Sequence, residues 1–401
     1  MGTVVLAWIA AKKGLGNDFW GAIPIFLVVA VVLKFVIPLV MVKDPETGEN
    51  LGLAIRGYGF FLLLGVLTGV GLAVHRSRQL GLHPDTILNL CFWLFITGIA
   101  GARLFYVIQY WPQFQANGTA SIAKIINMTE GGLVVYGGII GGVIGGSIFL
   151  LVKKMPLLPI LDILAPCMMI GLSIGRIGCL MNGCCWGGIC EDQGFSIRFP
   201  EGSPPYARHV ETGELFGMKA LPMQKRNPET GREIIEVEPG SPADRVGIET
   251  GDRIIGYSYN PNPNDNKLPE EIVYHINGKG GTSQYVFDGP QIPVQSKPVH
   301  PSQIYSSINA LFVFLFLWFY FPCRTRDGQV LGLLMVVYPI GRFLLEIIRS
   351  DELGQFGTQL TISQLTSIGS ITGGVLLLVY GFFGLNRVVS FQLSGNPRGS
   401  S

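Results

Sequence analysis

The chain has 401 residues, of which 48% are hydrophobic and only 14% charged, against about 25% charged residues in an average soluble domain. Its net charge of +2, with no block of like charges, excludes the basic profile of a nucleic-acid binder. The composition is that of a multi-span membrane protein, and its partners are to be sought in the bilayer.

The apolar stretch from Val4 to Ala11 is short, and Lys12 and Lys13 follow it instead of preceding it, so no cleaved signal peptide is expected. Apolar runs of about 20 residues predict eight transmembrane helices, at 21–42, 57–75, 86–110, 132–152, 158–181, 302–322, 328–349 and 364–385. Lys34 lies inside the first. Between the fifth and sixth runs the chain turns polar and rich in Gly, Pro, Asn and Glu, which predicts an extramembrane insertion.

The predicted organisation is therefore an N-terminal segment 1–56 with an extra span, a membrane core in two parts (57–200 and 300–386), an insertion at 201–299 and a tail at 387–401. The fold class is an all-α polytopic membrane protein with a small mixed α/β insertion. Basic residues at span ends cluster on one side (Lys12, Lys13, Arg76, Arg78, Lys153, Lys154, Arg324, Arg326, Arg387). The positive-inside rule then places both termini in the cytoplasm and the insertion outside.

Ionisable residues within spans are costly and point to function. Here they are Arg103, Asp162, Arg176, Arg342 and Glu346. Tyr338, Arg342 and Glu346 follow one another at four-residue intervals, so a helix places them on one face, with Arg342 and Glu346 able to pair. With the predicted orientation, Tyr58, Arg103, Tyr136, Arg176, Asn182, His300, Tyr338 and Arg342 all fall toward the outer leaflet. Guanidinium groups at one depth suit a phosphate, to which each can donate two parallel hydrogen bonds. A phospholipid head group is the anion available there. For any single residue a helix-pairing role weighs as much as a ligand role; the set as a whole favours a site, because structural membrane bundles pack through small residues and hydroxyls.

The segment Gly175-Arg176-Ile177-Gly178-Cys179-Leu180-Met181-Asn182-Gly183-Cys184-Cys185-Trp186-Gly187 resembles the signature of the prolipoprotein diacylglyceryl transferase family, commonly G-R-x-G-N-F-x-N-x-E-x-x-G. His300-Pro301-Ser302-Gln303-Ile304-Tyr305 is similar to that family's H-P-S-Q-x-Y, and Tyr338, Arg342 and Glu346 match another of its elements. Tyr58-Gly59, Gly101-Ala102-Arg103, Gly131 to Gly138, and Asp162 with Pro166 extend the likeness in the same order.

The resemblance implies transfer of the diacylglyceryl group of phosphatidylglycerol to the lipobox cysteine of a prolipoprotein, in a bacterial inner membrane, without a cofactor. It implies that Arg176 and Arg342 hold the head group, Arg342 being positioned by Glu346 and Tyr338. Tyr58, Arg103, Asn182, Gly187, Ser302 and Gln303 would line the substrate pocket, and His300 would orient or shuttle a proton. Tyr136 stands where many members carry a histidine that is a candidate base. A phenol with a pKa of about 10 is a weaker base at neutral pH, so the base stays unassigned. Cys179 and Cys184 replace the usual Asn and Glu.

Cys179, Cys184, Cys185 and Cys190 crowd one loop. Their spacing lacks the C-x2-C knuckle of zinc sites, and an oxidising exterior permits disulfides, so a disulfide is expected and a metal is not. Within the insertion, about 231–290 resembles a shortened PDZ module: Glu238-Pro239-Gly240-Ser241-Pro242-Ala243 reads as a helix start, Gly247 to Asp252 as a turn, and Ile276-Asn277-Gly278-Lys279 as a hairpin. Capture of a peptide there by strand addition and a purely structural role stand level.

Two other classes fit the sequence less well. None of the five histidines forms H-E-x-x-H, and no G-x-S-x-G is present, which disfavours an intramembrane protease. A transporter of an anionic lipid or small anion is the alternative, but transporters place sites near the midplane between repeated halves, and these halves are dissimilar.

Overall fold

In the computed structural model, described residues run from 57 to 383, apart from 117–118, 121–124, 126–131, 192–193, 222–230, 263–264 and 349–359, together with 41–43 and 50–53. The chain divides into two compact units, Met1–Gly59 and Phe60–Ser401. In the first, Met41–Lys43 pairs antiparallel with Asn50–Leu53. The predicted span at 21–42 lies outside the described residues except for its last two, which open that strand.

Seven described helices are long and apolar enough to cross a membrane. They are α1 (Gly57–Gln79), α2 (Pro84–Gln109), α3 (Val135–Val152), α4 (Leu157–Met181), α6 (Ser302–Tyr320), α7 (Gln329–Ile348) and α8 (Ile362–Phe383), with α5 (Pro204–Thr212) in the insertion. Each matches one of the last seven predicted spans to within a few residues.

Lipid tails give helices no hydrophobic reason to associate, so close backbone approach has to supply it. Glycines do so here. A Cβ on Gly65 of α1 would sit 2.7 Å from the Gly171 carbonyl oxygen of α4, and one on Gly69 would sit 2.9 Å from the Cys167 oxygen. On α2 and α3, Gly101 and Gly141 are mutually so close that a Cβ on either would lie within 2.9 Å of the other's Cα. Gly374 of α8 meets the Gly332 oxygen of α7 at 2.9 Å in the same sense.

Backbone groups freed inside the bundle are satisfied locally, as a bilayer requires. Pro339 interrupts α7 and leaves the Met335 carbonyl without its helical donor. Ser370 Oγ of α8 donates to that oxygen at 3.1 Å. At the opposite end of α7 the wholly buried Asp162 of α4 accepts from Gly328 N (2.7 Å) and Leu331 N (2.8 Å). A carboxylate from one helix thus caps the N-terminus of another, where orphan amides and the helix dipole favour negative charge. Arg324 Nε lies 3.9 Å from the same carboxylate.

The insertion is a five-stranded antiparallel meander, β1 (Met218–Ala220), β2 (Arg232–Val237), β3 (Arg253–Asn262), β4 (Asp265–Gly278) and β5 (Gly281–Asp288), paired in chain order. Ser241 caps the single turn Pro242–Arg245 by accepting from Asp244 N at 3.2 Å. The hairpin expected at 276–279 closes with Gly278 opposite Gly281. The core stacks Phe216 on Phe287 at 4.2 Å and also draws in Tyr206, Val210 and Leu215, which precede the segment that resembles PDZ.

His209 of α5 is buried in this unit, 3.9 Å from Glu214, and its Nδ1 accepts from Lys297 N at 3.2 Å. Burial, assisted by the charges of Lys297 and Arg208, lowers its pKa from 6.5 to about 4. The unfolded chain therefore takes up this proton first as pH falls, so stability present above 6.5 is lost between there and about 4. Burial raises the Glu214 pKa from 4.5, so the folded state takes up that proton first and partly offsets this loss in the part of the window above 4.5. Hydrogen exchange of β1–β5 in the full-length protein should quicken on acidification across that window, and His209→Asn, which keeps an acceptor, should flatten the dependence.

Candidate active site

The chain folds so that α4 ends, α6 begins and α7 ends at one end of the bundle, the end that carries the insertion. Three backbone hydrogen bonds join them there. Gly187 N donates to His300 O (2.9 Å), His300 N to Gly188 O (3.0 Å), and Gly188 N to Ile348 O (3.0 Å). Gly187 is required by this contact, since a Cβ there would lie 2.7 Å from His300 Cβ. Ser302 Oγ donates to Cys185 O, and Gln303 Nε2 donates to Cys184 O at 2.7 Å. Both side chains are buried, so Ser302 and Gln303 hold the signature loop in place.

Below this seam, Ser173 of α4 and Ser307 of α6 exchange hydroxyl-to-carbonyl bonds at 2.8 and 2.9 Å. His300 is half-buried with its ring 6.4 Å from that of Tyr305. Arg176 sits in the penultimate turn of α4, half-buried, one helical turn before Cys179. Asn182 is the exposed C-cap of that helix.

On α7 the predicted pair forms. Arg342 Nη1 is ion-paired with Glu346, whose side chain is wholly buried, while that of Arg342 is 16% exposed. Two residues not singled out from the sequence complete the arrangement. Ser363 Oγ accepts from Arg342 Nη2 at 3.0 Å, and Thr361 Oγ1 donates to Glu346 Oε1 at 3.2 Å. Both belong to the start of α8, where Thr361 and Gln364 form a reciprocal capping box, each side chain accepting from the other's amide at 3.1–3.2 Å. The T-x-x-Q spacing ahead of an apolar run was the available signal. Tyr338 packs against the membrane core on the same helix.

Arg103 is buried and donates from Nε to Ile125 O (2.8 Å) and from Nη1 to Gly132 O (3.0 Å), its guanidinium 5.4 Å from the Tyr106 ring. Gly132 has φ +86°, and a Cβ there would lie 2.6 Å from Arg103 Nη1. With Val134 N bonded to Ala102 O at 3.1 Å, the structure places Arg103 against the backbone leading into α3. Tyr136 follows in the first turn of α3, 40% exposed. Tyr58 is in the first turn of α1, within the unit Met1–Gly59.

The expected disulfide is not formed: no disulfide joins the seven cysteines. Instead the Sγ atoms of Cys179, Cys184 and Cys185 all lie within 4.8 Å of one another. Beyond the seam a groove of about 440 Å³ opens between the signature loop and the insertion, lined by Ile189, Cys190, Arg198, Leu215, Glu238 and Lys297 among others. Lys297 Nζ donates to Glu238 at 2.6 Å across it.

A multi-pass helical membrane protein with a paired arginine held at one end of its bundle is the class that fold and site define. A family model described as prolipoprotein diacylglyceryl transferase matches residues 49–380. The phosphatidylglycerol–prolipoprotein diacylglyceryl transferase of Rhodopirellula baltica is 35% identical over 93% of this chain and 82% of its own length. A second enzyme of that name from Clostridium perfringens is 26% identical over 82% of this chain and 92% of its length. The chain belongs to the prolipoprotein diacylglyceryl transferase family.

The Arg342–Glu346 pair makes a graded prediction. Glu346→Ala leaves a guanidinium without its counter-charge in a low-dielectric setting and should destabilise by about 3–5 kcal/mol. Thr361→Val removes one hydroxyl and a helix cap and should cost only about 1 kcal/mol. Thermal unfolding in detergent would rank the two, and equal losses would show that Glu346 does not depend on Arg342.

Proposed function

We infer that this chain transfers the diacylglyceryl group of phosphatidylglycerol to the thiol of a prolipoprotein lipobox cysteine, at the outer leaflet of a bacterial inner membrane. The family match across 49–380 carries this reading. In the reaction the acceptor sulfur attacks C3 of the diacylglyceryl glycerol, the C3–O bond to phosphorus breaks, and glycerol phosphate leaves with the electron pair.

The leaving phosphate needs positive charge that is already in place, because reorganising charge during the reaction would cost part of the barrier reduction. Arg342 suits this role. Among the described residues Glu346 and Ser363 engage two of the five N–H groups of a guanidinium, which leaves donors for phosphate oxygens. Tyr338, one turn earlier on α7, would meet the same head group, and Arg176 would supply the second cation from α4. His300, fixed through both its backbone polar groups, would orient substrate or pass a proton. Asn182, Gly187, Ser302 and Gln303 would shape the pocket, the last two through the loop they hold. Arg103 would act by positioning the segment that presents Tyr136.

The acceptor's signal-peptide region would approach through the bilayer and its downstream chain through the groove beside Lys297.

The test incubates purified protein with phosphatidylglycerol and a lipobox peptide and seeks, by mass spectrometry, one diacylglyceryl group on the cysteine. Arg342→Ala and Arg176→Ala should each slow adduct formation by about 10²- to 10³-fold, the range for removing one preorganised charge donor. No adduct with the wild type, or undiminished adduct with both variants, overturns the assignment.

A further inference from the structure

We propose that Cys179, Cys184 and Cys185 form a three-thiolate Zn²⁺ site whose fourth position takes the acceptor thiol. The second half of this inference rests on the transfer reaction inferred above; the first stands on the thiol cluster alone.

Spacing alone argued against a metal, because the run C-x4-C-C has no knuckle. The fold supplies what the spacing lacks. After the α4 C-cap at Asn182 the chain reverses through Gly183 (φ +63°), and Cys184 N returns to bond Cys179 O at 3.1 Å. Cys185 then adopts φ +61°. A left-handed conformation in a residue with a Cβ is costly and persists only where the surroundings impose it. Ser302 and Gln303 impose it here by holding the Cys185 and Cys184 carbonyls from α6.

The result is three Sγ atoms within 4.8 Å of one another, each half-buried. Tetrahedral zinc, with Zn–S bonds of about 2.3 Å, holds its sulfurs about 3.8 Å apart, which small side-chain rotations reach. Three protein ligands are also the set that leaves a zinc coordination position open. Binding releases the thiol protons to water, and three thiolates around one Zn²⁺ leave a net −1 that Arg176, one helical turn from Cys179, can offset.

The open position answers a chemical need. The acceptor enters as a thiol with a pKa of about 8.5 and reacts as a thiolate, so its proton has to leave before or during attack. Coordination deprotonates a thiol outright, so the acceptor would lose its proton to bulk water on binding. Its sulfur then forms the S–C3 bond as the C3–O bond breaks, with no change in oxidation state.

Full-length wild type, purified without chelator and equilibrated with Zn²⁺, should retain one zinc per chain by elemental mass spectrometry. Cys179→Ser and Cys184→Ser should lose it, while Cys323→Ser should keep it. With Co²⁺ in place of Zn²⁺, thiolate charge-transfer absorption should appear and change on adding a lipobox peptide but not its Cys-to-Ser form. Removing the metal should slow transfer by about 100-fold, the scale of a lost base, and zinc should restore it. Wild type that binds no zinc overturns the proposal without recourse to any variant, as does a disulfide among the three in protein handled without reductant. Full transfer by zinc-free wild type overturns the catalytic half and leaves the transferase reading intact. Bound zinc with no adduct in any form overturns the transferase reading and leaves the thiolate site standing.

Discussion

The seam from Gly187 and Gly188 to His300 and Ile348 is the constraint on which the site depends. Its three backbone hydrogen bonds join segments separated by the insertion and by a further membrane hairpin. Main-chain bonds cannot be exchanged for side-chain chemistry, so the seam fixes where α4 stops, where α6 starts and where α7 ends. Arg176 lies on α4 and Arg342 on α7, two of the helices at whose ends the seam runs. It also explains why Gly187 and Ser302 belong to motifs although neither needs to touch a substrate.

The far end of the bundle performs the complementary task. Asp162 caps α7 from α4 through Gly328 and Leu331, so α7 is held at both ends, by that carboxylate at one and at the other by Ile348 O, which accepts from Gly188 in the loop after α4. Contacts at both ends fix which face of the helix meets its neighbours. That matters because Arg342 lies in the interior of α7, beyond the interruption at Pro339. Ser370 from α8 meets the carbonyl that Pro339 orphans, and Thr361 and Ser363 of the same helix hold Glu346 and Arg342. Helix α8 therefore stabilises the irregularity in α7 and presents the guanidinium together.

Much of this was legible in the sequence, for identifiable reasons. Spans follow from length and hydropathy, and the Arg342–Glu346 pair follows from a four-residue interval, which is local geometry. The partners of that pair were not seen because Thr361 and Ser363 are ordinary cap residues whose significance depends on which helix packs alongside. Asp162 was legible as an anomaly, a carboxylate in an apolar run, while its target, two backbone amides, leaves no trace in residue identity. The cysteines show the reverse failure. Counting intervals along the chain suggested a disulfide, which does not form, and could not show that three thiols converge, because an interval says nothing of a chain reversal at Gly183 and a left-handed Cys185. Arg103 was legible as a charge in an apolar run, while two of its partners, the Ile125 and Gly132 carbonyls, leave no trace in residue identity.

The surroundings of Arg176 and Arg342 differ in kind. Arg342 has a carboxylate partner, which lowers its net charge but fixes its direction, the property needed for a donor that must meet a phosphate oxygen. Arg176 is followed one turn later by a thiol cluster, so its charge acts on sulfur as readily as on phosphate. A substitution reaction at carbon needs an electron-rich sulfur on one side and an electron-withdrawing phosphate on the other, in line. On the proposed reading, α4 would serve the sulfur side and α7 the phosphate side, with the seam at Gly188 joining the loop after α4 to the end of α7.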